Sequence, residues 1–253
     1  MNIKTIVALA CLACSFQVGA ADLTAAQIAA KNVAARGGAA AWHAVNGLSM
    51  AGEMDAGGKQ DVKLPFLLTL KRPNKSRLEI NFADKTAVQV YDGSKGWKYR
   101  PFLNREDVEP FTEQEAKSAA ANEIDIPLMD YASKGSKLEL VGLEKVEGKS
   151  AYKLRLSPKT RAPYHVWVDA TSFLEVKVEG EPRKLDNRMH PVVVYYRDYK
   201  TVAGVTLPQV LETAVEGVPQ THKIKVTSFK VNPALDDGMF AQRALTATEP
   251  RAN

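Results

Sequence analysis

Val62, Leu64, Phe66, Leu68 and Leu70 occupy every second position of one nine-residue stretch. Side chains alternate between faces along a strand, so this spacing lines one face with apolar groups and argues against a helix. Leu78, Ile80 and Phe82 alternate in the same way against Arg77, Glu79 and Asn81, and Val88 and Val90 follow in a further strand. Ala56-Gly57-Gly58-Lys59 reads as a hairpin turn before this region, and Asp92-Gly93 as a turn leading into Trp97 to Arg100. Strands joined by short turns make an antiparallel meander. No strand-helix-strand alternation calls for a parallel sheet.

The same signals resume after Gly135. Strands are predicted at about 137–145, 150–157, 163–169, 173–179, 191–200, 206–215 and 220–230, with Tyr152, Leu154 and Leu156 sharing one face and Leu174, Val176 and Val178 another. Helices occupy the gaps. Thr24 is placed to cap an alanine-rich helix over 25–36, which Gly37-Gly38 interrupts before a short piece over 39–45. Thr112 and Glu115 have capping-box spacing ahead of a helix over 113–121, and Pro127 can begin another turn. The expected fold is mainly β with helices, an α+β chain of about twelve strands and three helical segments, its antiparallel sheet curled into an open or closed barrel.

The first residues bear on compartment. Lys4 precedes an apolar run from Ile6 to Phe16, and Val18-Gly19-Ala20-Ala21 offers the small residues of a cleavage site. Residues 1–21 are therefore expected to be a removed export signal, residues 22–245 a single domain and residues 246–253 a loose tail. The two cysteines, Cys11 and Cys14, both fall within the signal, so the mature domain is expected to hold no disulfide and no thiolate. Cys14 also sits in a partial lipobox, which keeps lipid anchoring there as an alternative to a free periplasmic protein. The formal charge of +5 is spread among acidic residues, a solvated surface rather than a nucleic-acid patch.

At Lys71-Arg72-Pro73-Asn74 and at Val90-Tyr91-Asp92-Gly93-Ser94-Lys95-Gly96-Trp97-Lys98-Tyr99-Arg100-Pro101 the chain resembles the LolA-like family of outer-membrane lipoprotein-sorting carriers. The segment from Asn232 to Phe240 is similar to the family's closing segment, while Trp167-Val168-Asp169 and Tyr196 to Pro208 resemble the broader LolA-like group. The resemblance implies an unclosed β-barrel with the N-terminal and inserted helices as a lid. It implies a periplasmic carrier of lipoprotein acyl chains or another envelope lipid, working with inner- or outer-membrane transport proteins. A ligand-sensing regulatory module of the envelope is the alternative. Phe66, Leu68, Leu70, Leu78, Ile80, Val88, Val90, Trp97 and Tyr99 are then the candidate cavity lining, with ordinary core packing as the competing account and Trp97 and Tyr99 alternatively anchoring the sheet edge. Arg72 takes the place of the family's lid latch, with a plain salt bridge as its competing role. Its parity agrees: Arg72 ends the face that carries Phe66, Leu68 and Leu70, where its rigid fork of donors suits carbonyls at a helix C-terminus.

Catalytic signals are lacking. His43, His165, His190 and His222 have no metal-ligand spacing, and there is no Gly-x-Ser-x-Gly and no phosphate-binding glycine loop. Asp236-Asp237-Gly238 lacks the ligand pattern of a calcium loop and reads as a turn before Met239-Phe240. The chain is expected to be neither an enzyme nor the holder of a metal or cofactor, and to bind no nucleic acid.

Overall fold

The computed structural model describes residues 23–57, 62–102, 107–120, 124–159 and 161–245. The expected export signal with its Cys14 alternative, and the tail from 246, lie outside these residues. The described chain forms a thirteen-stranded antiparallel sheet with three α-helices. Helix α1 (Ala25–Ala35) and the short α2 (Ala39–His43) lead into strands β1 (Gly47–Asp55), β2 (Lys63–Lys71), β3 (Lys75–Phe82), β4 (Lys85–Tyr91), β5 (Gly96–Tyr99) and β6 (Val108–Pro110). Helix α3 (Glu113–Ala120) follows. The strands resume as β7 (Lys137–Val146), β8 (Lys149–Ser157), β9 (Tyr164–Asp169), β10 (Glu175–Leu185), β11 (Arg188–Val202), β12 (Val205–Val215) and β13 (His222–Val231).

The strand order is β6-β5-β4-β3-β2-β1-β13-β12-β11-β10-β9-β8-β7. The chain meanders from β1 out to β6, crosses through α3 and residues 124–136 to the far edge at β7, and meanders back until β13 pairs with β1. Strands β6 and β7 are the two free edges, so the sheet does not close. A bulge between Leu140 and Gly142 interrupts β7, and Lys137, Glu139, Glu144 and Lys145 charge it, devices that discourage edge-to-edge pairing.

Local chemistry places the helices. Thr24 and Gln27 form a reciprocal capping box at the start of α1, and Thr112 and Glu115 exchange the equivalent bonds ahead of α3 at 2.7 and 3.2 Å. Gly37, at φ +110°, joins α1 to α2. A Cβ there would stand 2.0 Å from the Gly204 carbonyl oxygen, so only glycine lets this corner lie on the β11–β12 turn.

The helices cover one end of the sheet's inner face. Trp42 and Val45 pack on Leu48, Leu70, Ile124, Ile126 and Met129, while Ile28 and Ala29 of α1 pack on Leu128, Leu154, Val166, Val168 and Val178. Strand β6 was not predicted; at three residues it is too short to show a period. The predicted common face of Leu174, Val176 and Val178 does not form. The register shifts between Glu175 and Lys177, which turns Val176 outward against Trp167 and sets Glu175 opposite Val168 on the inner face.

Candidate functional site

The Lys-Arg-Pro-Asn turn between β2 and β3 joins the sheet to α2, α3, the crossing segment and the C-terminal segment. Arg72 donates from Nε to the Val45 carbonyl at 2.7 Å and from Nη2 to the Trp42 carbonyl at 3.4 Å where α2 ends, and the Trp42 carbonyl also accepts from the Val45 amide at 3.1 Å. Its Nη2 also donates to Asp125, which stands in the segment crossing from α3 to β7. Asn74 donates to the Ala120 carbonyl at the end of α3, 3.1 Å away. Lys71 reaches the Leu235 carbonyl and, with Lys75, the Asp237 carboxylate of the C-terminal segment. Lys71, Arg72, Asn74 and Lys75, around one proline, thus bind α2, α3, the crossing segment and the C-terminal segment.

Asp125 is the acidic centre of this hub. Burial disfavours its charge, but hydrogen bonds from Arg72 and Lys134 outweigh burial and hold its carboxyl below the usual carboxylate range. A carboxyl depressed on folding stabilises the fold fully above its unfolded pKa, about 3.9, and loses that contribution as pH falls through the folded value. Acid is therefore expected to loosen residues 124–136 below about pH 4. Hydrogen exchange of that segment, corrected for intrinsic rate, should show the loosening in the wild type and no such pH step in Asp125→Asn.

Pairing registers sort the candidate lining. Directly opposed residues share a face. Leu68 opposes Met50 and Leu78, Leu70 opposes Leu48, and Phe66 opposes Ile80. These five candidates, Phe66, Leu68, Leu70, Leu78 and Ile80, therefore share the inner face with the helix-covered core. Val90 opposes Arg77 and Trp97, and Val88 opposes Glu79 and Tyr99. Those four candidates, Val88, Val90, Trp97 and Tyr99, line the other face, where Leu245 of the C-terminal segment packs on them. Their surroundings match the alternative of core packing and sheet anchoring. The inner positions on β4 are instead Ala87, Gln89 and Tyr91, and Lys98 of β5 binds both carboxylate oxygens of Glu115 on α3 at 2.7 Å.

Beyond the helices, the inner face continues as a half-exposed apolar band. Leu211, Ile224, Met54 and Leu64 oppose one another in turn across β12, β13, β1 and β2, next to Leu68, Leu78 and Ile80, and all are half-buried. Leu211, Ile224, Met54 and Leu64 belong to neither of the main apolar clusters that hold the helices, while Leu68 packs at the edge of the one that contains Trp42. A separate cleft of about 470 Å³ lies among the helices, lined by Ala26, Ala29, Ala30, Val33 and Ala39 of α1 and α2 against residues 128–133.

A second polar group, missed from sequence, lies under the α1–α2 corner. Arg36 donates from Nη1 to Glu175 Oε2 at 2.7 Å and from Nε to the Thr206 carbonyl at 2.6 Å. Its guanidinium lies 5.3 Å from the ring centres of both Trp42 and Tyr199. Trp42 donates back to the Arg36 carbonyl at 2.8 Å. Burial opposes the Arg36 charge, and the neighbouring Glu175 more than restores it. Burial pushes the Tyr196 hydroxyl up to about 12, and burial with Glu175 pushes Tyr199 higher still, so both phenols stay neutral. The bulge in β10 is the only signal that delivers Glu175 here, and it leaves no mark in the residue pattern.

Among the described residues, no group of three or more His, Cys, Asp or Glu side chains is gathered to hold a metal, and no helix is long and apolar enough to cross a membrane.

No family model matches the chain, and no curated protein matches it. Solved structures do. A LolA superfamily protein of Nitrosomonas europaea aligns over 88% of this chain and 100% of its own with a TM-score of 0.57 at 16% identity. A DUF1329 family protein of Desulfovibrio piger aligns over 88% and 98% with a TM-score of 0.59 at 14% identity. A domain from Vibrio parahaemolyticus, described as a putative outer membrane lipoprotein-sorting protein, aligns over 87% and 97% with a TM-score of 0.59 at 15% identity. At these identities the likeness is one of fold.

Proposed function

From this LolA-like fold, we propose that the protein is a non-enzymatic carrier of the cell envelope that holds a lipid or lipoprotein acyl chain against the inner face of its unclosed sheet. The observation that carries the reading is the band of Leu211, Ile224, Met54, Leu64, Leu68, Leu78 and Ile80, apolar, in register across neighbouring strands and half-exposed. A contiguous apolar band of this kind marks a binding surface in this reading. Each methylene moved onto it gains about 0.8 kcal/mol, so a single long tail supplies several kcal/mol. Phe66, Leu68, Leu70, Leu78 and Ile80 form the proposed lining. Val88, Val90, Trp97 and Tyr99 are proposed to hold the sheet against the C-terminal segment instead.

The lid in this reading is α1, α2, α3 and residues 124–136, and Arg72 is its latch. A carrier must let go, so its cover has to open at modest cost. In this reading Arg72, through bonds to carbonyls and to one carboxylate, is the polar, releasable part of a cover that also packs on the sheet through Ile28, Trp42 and Val45. Export to the periplasm completes the proposal, in line with the basic start, apolar run and small-residue end of residues 1–21.

Native mass spectrometry of the protein purified from periplasm, with lipid extraction, tests the reading. A bound long-chain lipid is the expected result. An empty protein that also fails to take up a fluorescent acyl probe would overturn it. Leu68→Asp, which sets a charge in the band, is expected to weaken probe uptake at least tenfold, by the cost of stripping water from a carboxylate. Tyr99→Asp, on the opposite face, should leave uptake of the folded protein within twofold of wild type.

A further inference from the structure

The hairpin of β10 and β11 runs beyond the sheet that supports it. Strand β9 pairs with β10 only over Glu175 to Val178, and β12 pairs with β11 only from Val192 onward. From Arg183 to His190 the two strands pair with each other alone, Arg183 with His190, Lys184 with Met189 and Leu185 with Arg188. Asp186 and Asn187, both at positive φ, make the two-residue turn that closes it. At about 3.4 Å per residue the free part projects by roughly 15 Å.

Its side chains do not suit water. Met189 is 61% exposed and Leu185 36%. Arg183, Lys184 and Arg188 are exposed and form no ion pair among the described residues, whereas Glu181 at the base stands 3.8 Å from Arg161. Cross-strand pairing puts Leu185 beside Arg188 on one face and Met189 beside Lys184 on the other. One face of the tip thus carries Leu185 with Arg188 and Arg183, and the other Met189 with Lys184. A protein partner would meet one face of a hairpin. A tip apolar and cationic on both faces suits insertion between lipids, with the long basic side chains reaching back to the headgroups. Val218, 37% exposed on the β12–β13 turn, extends this surface, since His190 Nδ1 lies 2.9 Å from the Glu216 carbonyl oxygen and fixes that turn beside the hairpin. The band of Leu211, Ile224, Met54 and Leu64 lies toward the same end of the sheet, away from the helices.

We propose that the β10–β11 hairpin is a membrane-docking finger that inserts Leu185 and Met189 into an anionic bilayer, with Arg183, Lys184 and Arg188 on the lipid phosphates. It goes beyond the carrier reading, because docking needs no occupant in the groove. Asp186 is the one acidic group at the tip, and the three cations outnumber it. His190 lies at the base against a backbone carbonyl.

The test is co-sedimentation of the full domain with vesicles of phosphatidylglycerol and phosphatidylcholine, against vesicles of phosphatidylcholine alone. Binding to the anionic vesicles, weakened by salt, is expected. Leu185→Ser with Met189→Ser, and separately Arg183→Gln, Lys184→Gln and Arg188→Gln together, should each lower it at least tenfold. All five positions are exposed, and an unchanged denaturation midpoint confirms that each variant folds. Equal binding to both vesicle types, or hairpin variants that bind as wild type does, would overturn the proposal. Acyl-probe uptake in the same variants separates the two readings. Uptake retained while docking is lost supports both, and docking by a protein that takes up no probe leaves the finger standing and removes the carrier.

Discussion

Arg72→Leu is expected to open the lid while leaving the sheet folded. The substitution keeps an aliphatic stem at the end of β2 and removes every donor. The Val45 carbonyl then loses its side-chain partner, the Trp42 carbonyl keeps the Val45 amide alone, and Asp125 is left to Lys134. Hydrogen bonds to a charged group contribute about 1.5–3 kcal/mol each in favourable cases. Arg72 is partly exposed, which lowers that figure, and about 2 kcal/mol for the whole latch is a fair expectation. The check is residue-resolved hydrogen exchange. Amides of residues 42–46 and 124–130 should exchange about thirtyfold faster, while those of β8 and β9 keep wild-type protection. Uniform loss of protection would make Arg72 a structural anchor of the whole domain and remove the latch. Asp125→Asn keeps the hydrogen-bonding shape and removes the charge, so its effect should fall between wild type and Arg72→Leu.

How much of this was legible in the sequence depends on what parity can carry. Within β2 the alternation of Phe66, Leu68 and Leu70 named the inner face, and the cap Thr24 and the capping pair Thr112–Glu115 stand where helices begin. Parity does not cross a turn. The two-residue turn at Ala83–Asp84 pairs even-numbered residues of β3 with odd-numbered residues of β4, so Ile80 meets Ala87 while Val88 and Val90 go to the opposite face. A register shift of one residue sends a whole strand's set to the other side. The bulge near Val176 acts the same way inside a strand and turns Glu175 inward. The far half of the β10–β11 hairpin escaped prediction for a different reason. Its residues face water on both sides, so nothing selects an alternation. Asp125 was invisible because its role comes from a crossing segment that the sequence does not tie to Arg72.

The Arg36–Glu175 pair sets the largest expected effect on stability, and its direction depends on what replaces it. Both side chains are buried, Glu175 at 1% exposure and Arg36 at 7%. Breaking a buried pair from one side costs about 3–5 kcal/mol, because the remaining charge keeps its desolvation cost without compensation. Glu175→Ala should therefore destabilise the domain by about that amount, with Arg36 left facing two aromatic rings and the Thr206 carbonyl. Arg36→Met with Glu175→Leu removes both charges and is expected to recover at least half of the loss, although the Thr206 carbonyl and the Trp42 ring lose a partner. Chemical denaturation of Arg36→Met, Glu175→Leu and the double, against wild type, supplies the coupling energy. A double variant as unstable as Glu175→Ala would show that the directional bonds of Arg36 to Thr206 and Trp42 matter, and not the burial of charge. The pair joins the α1–α2 corner to β10 and β12 inside the core, whereas Arg72 holds the outer end of α2 and the crossing segment. Loss of the pair should lower protection in helices and sheet together, and loss of Arg72 in the lid alone. That contrast, once measured, identifies the corner as the fixed end of the proposed lid and the Lys-Arg-Pro-Asn turn as its releasable end.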